Sequence, residues 1–171
     1  MDEAHLDRVL SGGRERREIV IADYDPAWPQ RFAAERERLA AALGDRALRI
    51  EHIGSTSVPG LAAKPIVDIL VEVPSLDGVD LERAAYVLRV REEGHRMYRT
   101  PQLDVHVHVW RTGSPNIASH LAFRDRLRAS DEDRAAYEAL KRELAGRDWP
   151  DINYYADAKG DLIRQILRRA G

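Results

Sequence analysis

Two stretches of this chain concentrate side chains capable of chemistry. In "DVHVHVW", residues 104–110, Asp104, His106, His108 and Trp110 alternate with three valines. On a strand, that alternation puts the acid, both imidazoles and the indole on one face and the valines on the other. Two histidines at i, i+2 with an aspartate beside them form a donor set for one metal ion, or a pair of contacts to a phosphate. The second stretch, "EHIGSTSVPGLAAKPIVDILVEV", runs from Glu51 to Val73 and carries Asp68 inside its apolar end. A buried carboxylate costs several kcal/mol unless it is paired, hydrogen-bonded or bound to a metal.

Alternation along 66–73 groups Ile66, Asp68, Leu70 and Glu72 on one face and Val67, Ile69, Val71 and Val73 on the other. Two-metal phosphoryl-transfer sites use carboxylates close enough to share an ion, which on one strand means an i, i+2 pair about 6.6 Å apart. Leu70 stands where that partner would be, and Glu72 is roughly 13 Å from Asp68 by the same rise. A metal at Asp68 must therefore recruit ligands from another element. The plainer alternative is that Asp68 caps a turn or pairs with Lys64.

The loop after Gly54 offers a close backbone approach at the glycine, and hydroxyls and amides at Ser55, Thr56 and Ser57. It can cradle a phosphate with Lys64 as the countercharge. It lacks the Gly-Lys-Ser/Thr spacing of a P-loop, and a simple turn between strands would need no more than this. His52 joins the histidine pair if its strand is a neighbour. In the C-terminal third, Arg124 and Arg128 fall at i, i+4, and Lys141, Tyr155 and Lys159 recur at intervals. Arg124 is the best ligand candidate because a guanidinium fork matches phosphate or carboxylate. For each of these cations the plainer reading is a solvated or salt-bridged helix face.

The elements that must hold these groups follow from periodicity. Residues 1–18 read as a flexible arm or a loosely docked short helix, interrupted by Ser11-Gly12-Gly13. A single domain is expected over 19–171. Ile19 opens a short extended segment. A helix is expected over Phe32–Leu43, stopped by Gly44, with strands at Leu48–Ile53 and Ile66–Val73. Leu81, Ala84, Ala85 and Leu88 suggest a helix between Asp80 and Val90. Strands follow at His95–Arg99 and Asp104–Trp110, then helices at about 117–129, 131–145 and 152–170. Ser130 followed by Asp133 opens the second of these like a capping box. The order predicts a mixed α/β layer capped by helices.

Composition narrows the class. The 171 residues suit one domain, and 44% apolar residues suffice for a core. With 27 Lys+Arg against 29 Asp+Glu, the net charge of −2 gives no global field for nucleic acid or an anionic membrane. There is no cysteine, which excludes disulfide and thiolate chemistry. No apolar run approaches the roughly 20 residues of a membrane span, and the start lacks the features of a signal peptide. A cytoplasmic location is expected.

Taken in order, "EHIGSTSVPGLAAKPIVDILVEV", "VHVHVW", "LAFRDRLRAS", "YEALKRELA" and "YYADAKGDLIRQIL" resemble the GrpB family from about Ile19 to the C-terminus. The resemblance implies a nucleotidyltransferase-superfamily fold, a mixed central sheet flanked by helices. It implies that Gly54 and Ser55 match the Gly-Ser turn that holds nucleotide phosphates there. Asp68 matches one aspartate of the usual Asp-x-Asp pair, and its partner is missing at both Ile66 and Leu70. His106 or His108 lies where a third acid is expected. The family also occurs fused to dephospho-CoA kinase, where a folding-assisting role has been suggested.

The resulting expectation is a protein that binds a nucleotide or another phosphorylated small molecule with Mg²⁺ or Mn²⁺. Gly54, Ser55 and Thr56 would hold phosphate. Asp68 would ligate the ion, with His106, His108 or Asp104 completing its shell and Asp68 and the histidines serving any catalysis. Lys64, Arg124 and Lys159 would neutralise charge. The reaction, if any, would be nucleotidyl transfer to a small molecule or a protein. The alternative is a non-catalytic module on the same scaffold that binds a ligand or a partner protein. A hydrolase built on a transition metal held by the histidines is a third reading.

Overall fold

A computed structural model describes residues 3–16 and 18–171 of the chain. Its centre is a five-stranded mixed sheet of β1 (Arg49–Ile53), β2 (Val67–Val73), β3 (Val87–Glu92), β4 (His95–Arg99) and β5 (Val105–Arg111), in the order β1-β2-β5-β4-β3. β2 and β5 are parallel and every other pair is antiparallel. Six α-helices surround it among the described residues: α1 (Glu3–Val9), α2 (Ala27–Leu43), α3 (Pro115–Ala129), α4 (Asp131–Ala145), α5 (Ile152–Ala158) and α6 (Gly160–Ala170). The mixed sheet and the helical C-terminal third are those expected from the sequence.

The apolar run of β2 is explained by its place between β1 and β5, with both faces covered. Val67, Ile69 and Val71 join Val105, Val107 and Val109 and pack against Leu39 and Leu43 of α2, and all of these are buried. On the opposite face Leu70 and Ile53 meet Ile117 of α3. That second face is polar further along: Asp68 pairs in register with His106, and Leu70 with His108. Helices α3, α4 and α6 build a separate core from Leu127, Tyr137 and Ile166 against Val58 and Leu61 of the loop after β1. This core fixes the helices relative to the loop.

Two element assignments change. The expected helix between Asp80 and Val90 is only a single turn at Glu82–Ala84, followed by β3. Ala85 adopts φ 62°, a left-handed conformation that ends the turn. From Val87 the chain pairs with β4, so sheet pairing overrides the short helical stripe. The single helix expected over 152–170 is two, broken at Lys159. Ser130 does cap α4, its side chain accepting from the Asp133 amide.

Residues 3–16 of the expected arm lie against the far edge of the sheet. Leu6 is buried, Leu10 bridges to Val90, and the Ser11 amide donates to the Arg89 carbonyl at 2.7 Å. The Glu15 amide donates to Asp151 at 2.7 Å, tying the arm to α5. Met1, Asp2 and Arg17 lie outside the described residues. Among the described residues no helix is long and apolar enough to cross a membrane.

Candidate functional site

The parallel pairing of β2 with β5 does what neither strand could do alone. It sets Asp68 beside His106, with His108 one pleat further along the same face. His106 Nδ1 is 3.5 Å and His108 Nε2 3.7 Å from Asp68 Oδ1. One ligating atom from each of the three lies within 4.8 Å of the others, a spacing that suits a single metal ion. Burial opposes ionisation of Asp68, but hydrogen bonding and charge from the two imidazoles outweigh it and hold the carboxyl below its ordinary range.

A hydrogen-bonded line continues from His108 toward the surface. His108 Nδ1 lies 3.3 Å from His95 Nε2, and His95 Nδ1 lies 2.9 Å from a carboxylate oxygen of Glu92. A carboxylate only accepts, so His95 donates from Nδ1 and, when neutral, accepts at Nε2. Burial, followed by repulsion from His108, pulls His95 down to about 4, which keeps it neutral near pH 7. His108 then donates from Nδ1, and its Nε2 is the nitrogen that faces Asp68. Stacking on Trp110, with ring centroids 3.7 Å apart, holds His95 in plane.

The loop from β1 arches over the carboxylate. Gly54 has φ 70° and ψ −174°, and Ser55–Ser57 form one tight turn after it. Beneath Gly54 and Ser55 lies a chamber of about 130 Å³ that also takes in Lys64, Asp68 and His106. The helical layer closes it with Tyr137 and Lys141 of α4, Tyr155 of α5, and Lys159 at the break before α6. Lys141 is buried; its ammonium donates to the Ala62 carbonyl and sits 5.0 Å above the Tyr137 ring. Burial first, then repulsion from Lys159, pulls Lys141 down to about 7. Burial and Lys64 lower Lys159 to about 8. Lys64 and Lys159 stand 5.2 and 4.4 Å from the centre of the Tyr155 ring. Tyr155 is fully buried, and its hydroxyl has no hydrogen-bond partner among the described residues.

Gly54, Ser55, Lys64, Asp68, His106 and Lys159 therefore converge on the chamber, with His108 on its rim beside Asp68. Four other candidates are placed elsewhere. Thr56 is buried, and its hydroxyl meets His52 Nε2 at 3.0 Å instead of facing the chamber. His52 is on a strand adjacent to β2 but pairs with Ile69, so it points to the α2 face and stacks on Phe32. Arg124 is held by Glu51 at 2.8 Å, by the His52 carbonyl at 3.1 Å and by Asp125. Asp104 accepts from Thr100 Oγ1 at 2.6 Å and pairs with Arg31, outside the cluster that suits a metal.

The sequence offered Lys141 only as one of several recurring cations and did not offer Tyr137, although a signal for both was there. Tyr137, Lys141 and Leu144 form the buried stripe of α4, and a lysine in such a stripe needs a polar destination.

Known proteins resemble this chain over most of its length. A family model described as "GrpB protein" matches residues 18–169. The chain is 52% identical to a UPF0157 protein of Streptomyces coelicolor over 167 residues, covering 95% of this chain and 89% of that one. It is 32% identical to a dephospho-CoA kinase of Mycolicibacterium paratuberculosis over 189 residues, covering 91% of this chain but only 46% of the kinase. The crystal structure of conserved protein GrpB from Enterococcus faecalis superimposes with a TM-score of 0.77 at 36% identity, over 88% of this chain and 96% of that one.

Proposed function

We propose that this chain, which belongs to the GrpB family, binds a nucleotide or another phosphorylated small molecule together with one divalent ion, and transfers a nucleotidyl group to an acceptor. One observation carries the reading: Asp68, His106 and His108 converge within 4.8 Å beside a chamber lined by Lys64, Lys141 and Lys159. Clustered cations next to a ligand triad suit a phosphate held against a metal, since phosphoryl transfer relies on positioning and charge neutralisation.

The donor set fits an ion, though not equally well for each. One carboxylate and two imidazoles suit Mn²⁺ and its transition-metal neighbours, whereas Mg²⁺ prefers oxygen ligands. Of the two ions expected, Mn²⁺ is favoured. Such an ion supplies Lewis-acid polarisation of a phosphoryl oxygen. The chain's own residues do the rest. The Gly54–Ser55 turn brings backbone close to the phosphate, and Lys64 and Lys159 offset its charge. Glu92 and His95 hold His108 in the tautomer that presents Nε2.

A second reading, a binding module without catalysis on the same scaffold, is favoured by Leu70. It occupies the place of a second carboxylate and is fully buried under α3. A protein partner or a folding-assisting role belongs to this reading. It also draws on the match to less than half of a dephospho-CoA kinase.

Thermal unfolding with nucleoside triphosphates and Mn²⁺ or Mg²⁺ tests the proposal. A ligand at 100 times its Kd adds about 2.7 kcal/mol, a shift of several degrees for a domain of this size. The shift should require metal, be larger with Mn²⁺, and vanish in Asp68→Asn. No shift with any triphosphate in folded protein would end the nucleotide reading. Binding without turnover in the presence of candidate acceptors would favour the module.

A further inference from the structure

We infer that the site is bipartite: the chamber takes only the phosphate, and an adjoining apolar cleft takes the organic body of the same ligand. The inference rests on the phosphate reading above and adds what the ligand must look like beyond its phosphate.

The first argument is one of size. At about 130 Å³ the chamber holds the equivalent of a few waters, at roughly 30 Å³ each, which is room for a phosphate but not for a nucleoside. The rest of the ligand must leave it. A second cavity of about 300 Å³ shares Lys64, Ile66, Asp68 and His106 with the chamber and so adjoins it. Its volume is in the range of small-molecule sites.

The second argument is chemical. The cleft is walled by Leu10 of the arm, Val90 and Met97 of the β3–β4 hairpin, and Ile152 and Ala156 of α5. Three of its charged residues answer one another. Glu15 accepts two hydrogen bonds from Arg99, at 2.8 and 2.9 Å, and pairs with Arg89 at 3.6 Å. Arg89 also donates to the Ser11 and Gly13 carbonyls. Glu18 and Asn153 also line it, but most of the surface left for a ligand is apolar, so an aromatic or aliphatic body is selected over a wholly polar one.

The third argument concerns the seat itself. Tyr155 belongs to the chamber wall, and its buried hydroxyl has no hydrogen-bond partner among the described residues. A buried donor in that state is satisfied by an acceptor oxygen, such as that of a phosphate. One end of the ligand is thereby fixed by Tyr155 and the lysines, which points the other end into the cleft.

Isothermal titration at pH 7 with Mn²⁺ and two probes, methyl phosphate and phenyl phosphate, tests this. They carry the same head and differ in their apolar body. Phenyl phosphate should bind on the order of 10-fold more tightly or better, the gain from burying one ring. Ala156→Trp fills the cleft from an exposed position on α5. It should remove that advantage and leave methyl phosphate within about 2-fold of wild type. Leu10→Asp, on the opposite wall, should do the same. Equal affinities in the wild type, or equal weakening of both probes in Ala156→Trp, would overturn the bipartite site and leave the phosphate reading standing. No binding of either probe would overturn both.

Discussion

The Cα of Gly54 lies against the Asp68 carboxylate so closely that a Cβ built there would stand 2.7 Å from Oδ2. The contact explains why this turn has a glycine and why the carboxylate has a fixed position. With φ 70° and ψ −174°, the backbone is in a region open essentially to glycine alone, where another residue costs about 1–3 kcal/mol.

Gly54→Ala should therefore act twice. The strained backbone lowers Tm by several degrees, and displacement of Asp68 weakens Mn²⁺ binding by 10-fold or more. Calorimetric unfolding and a metal titration measure the two effects. A variant with a wild-type Tm and wild-type metal affinity would show that the close approach has no consequence.

His95 orients His108 without touching the proposed ion. His95→Phe keeps a ring on Trp110 but removes the acceptor for His108 Nδ1. Loss of such a supporting partner commonly costs 10- to 100-fold in metal affinity, and competition with a chelator should show a loss in that range. A purely packing role for His95 would leave affinity unchanged in the phenylalanine variant.

Tyr155→Phe separates stability from binding. The lost hydroxyl has no hydrogen-bond partner among the described residues, so removing it should leave Tm unchanged or slightly raised. Affinity for methyl phosphate should fall several-fold. A fall in Tm of the ligand-free variant would show that the hydroxyl serves the fold instead.

The lysines give a pH dependence of known sign. Lys141 and Lys159 are lowered to about 7 and about 8, while an unfolded chain keeps its lysines protonated to about 10.4. Between about pH 7 and 10 the unfolded state binds more protons, so ligand-free stability should rise with pH over that window. Lys141→Met should flatten the rise. Phosphate binding should run the opposite way, strongest near pH 6–7 and weakening as both lysines lose their protons. Isothermal titration at pH 6.5 and 8.5 distinguishes this from a flat profile.

Sequence pattern carried most of the architecture because the central strands are strongly periodic. β2 and β5 repeat every second residue with β-branched side chains, and α4 has both its cap and its apolar stripe. The segment 80–90 misled because its stripe was short. Leu88 and Val90 belong to a strand whose partner, β4, lies further along the chain, and no local pattern encodes that pairing. The break at Lys159 was hidden for a related reason: residues 152–170 keep a helical period across it.

The chemistry was legible as residue types, and its assembly was not. From the sequence alone, Asp68 needed a partner, His106 and His108 shared a face, and the Gly54 turn could approach a ligand. Each follows from strand periodicity or from the absence of a Cβ, which are properties of a few adjacent residues. The tertiary structure decided which groups meet. The parallel register of β2 with β5 set Asp68 beside His106, and the pleat of β1 turned His52 away. Packing of α4 and α6 on the loop at Val58 and Leu61, and of α5 against Leu144 of α4, carried Lys141, Tyr155 and Lys159 over the carboxylate. Contacts between residues 38 or more positions apart, as Asp68 and His106 are, depend on how separate elements pack, and only the assembled core fixes that.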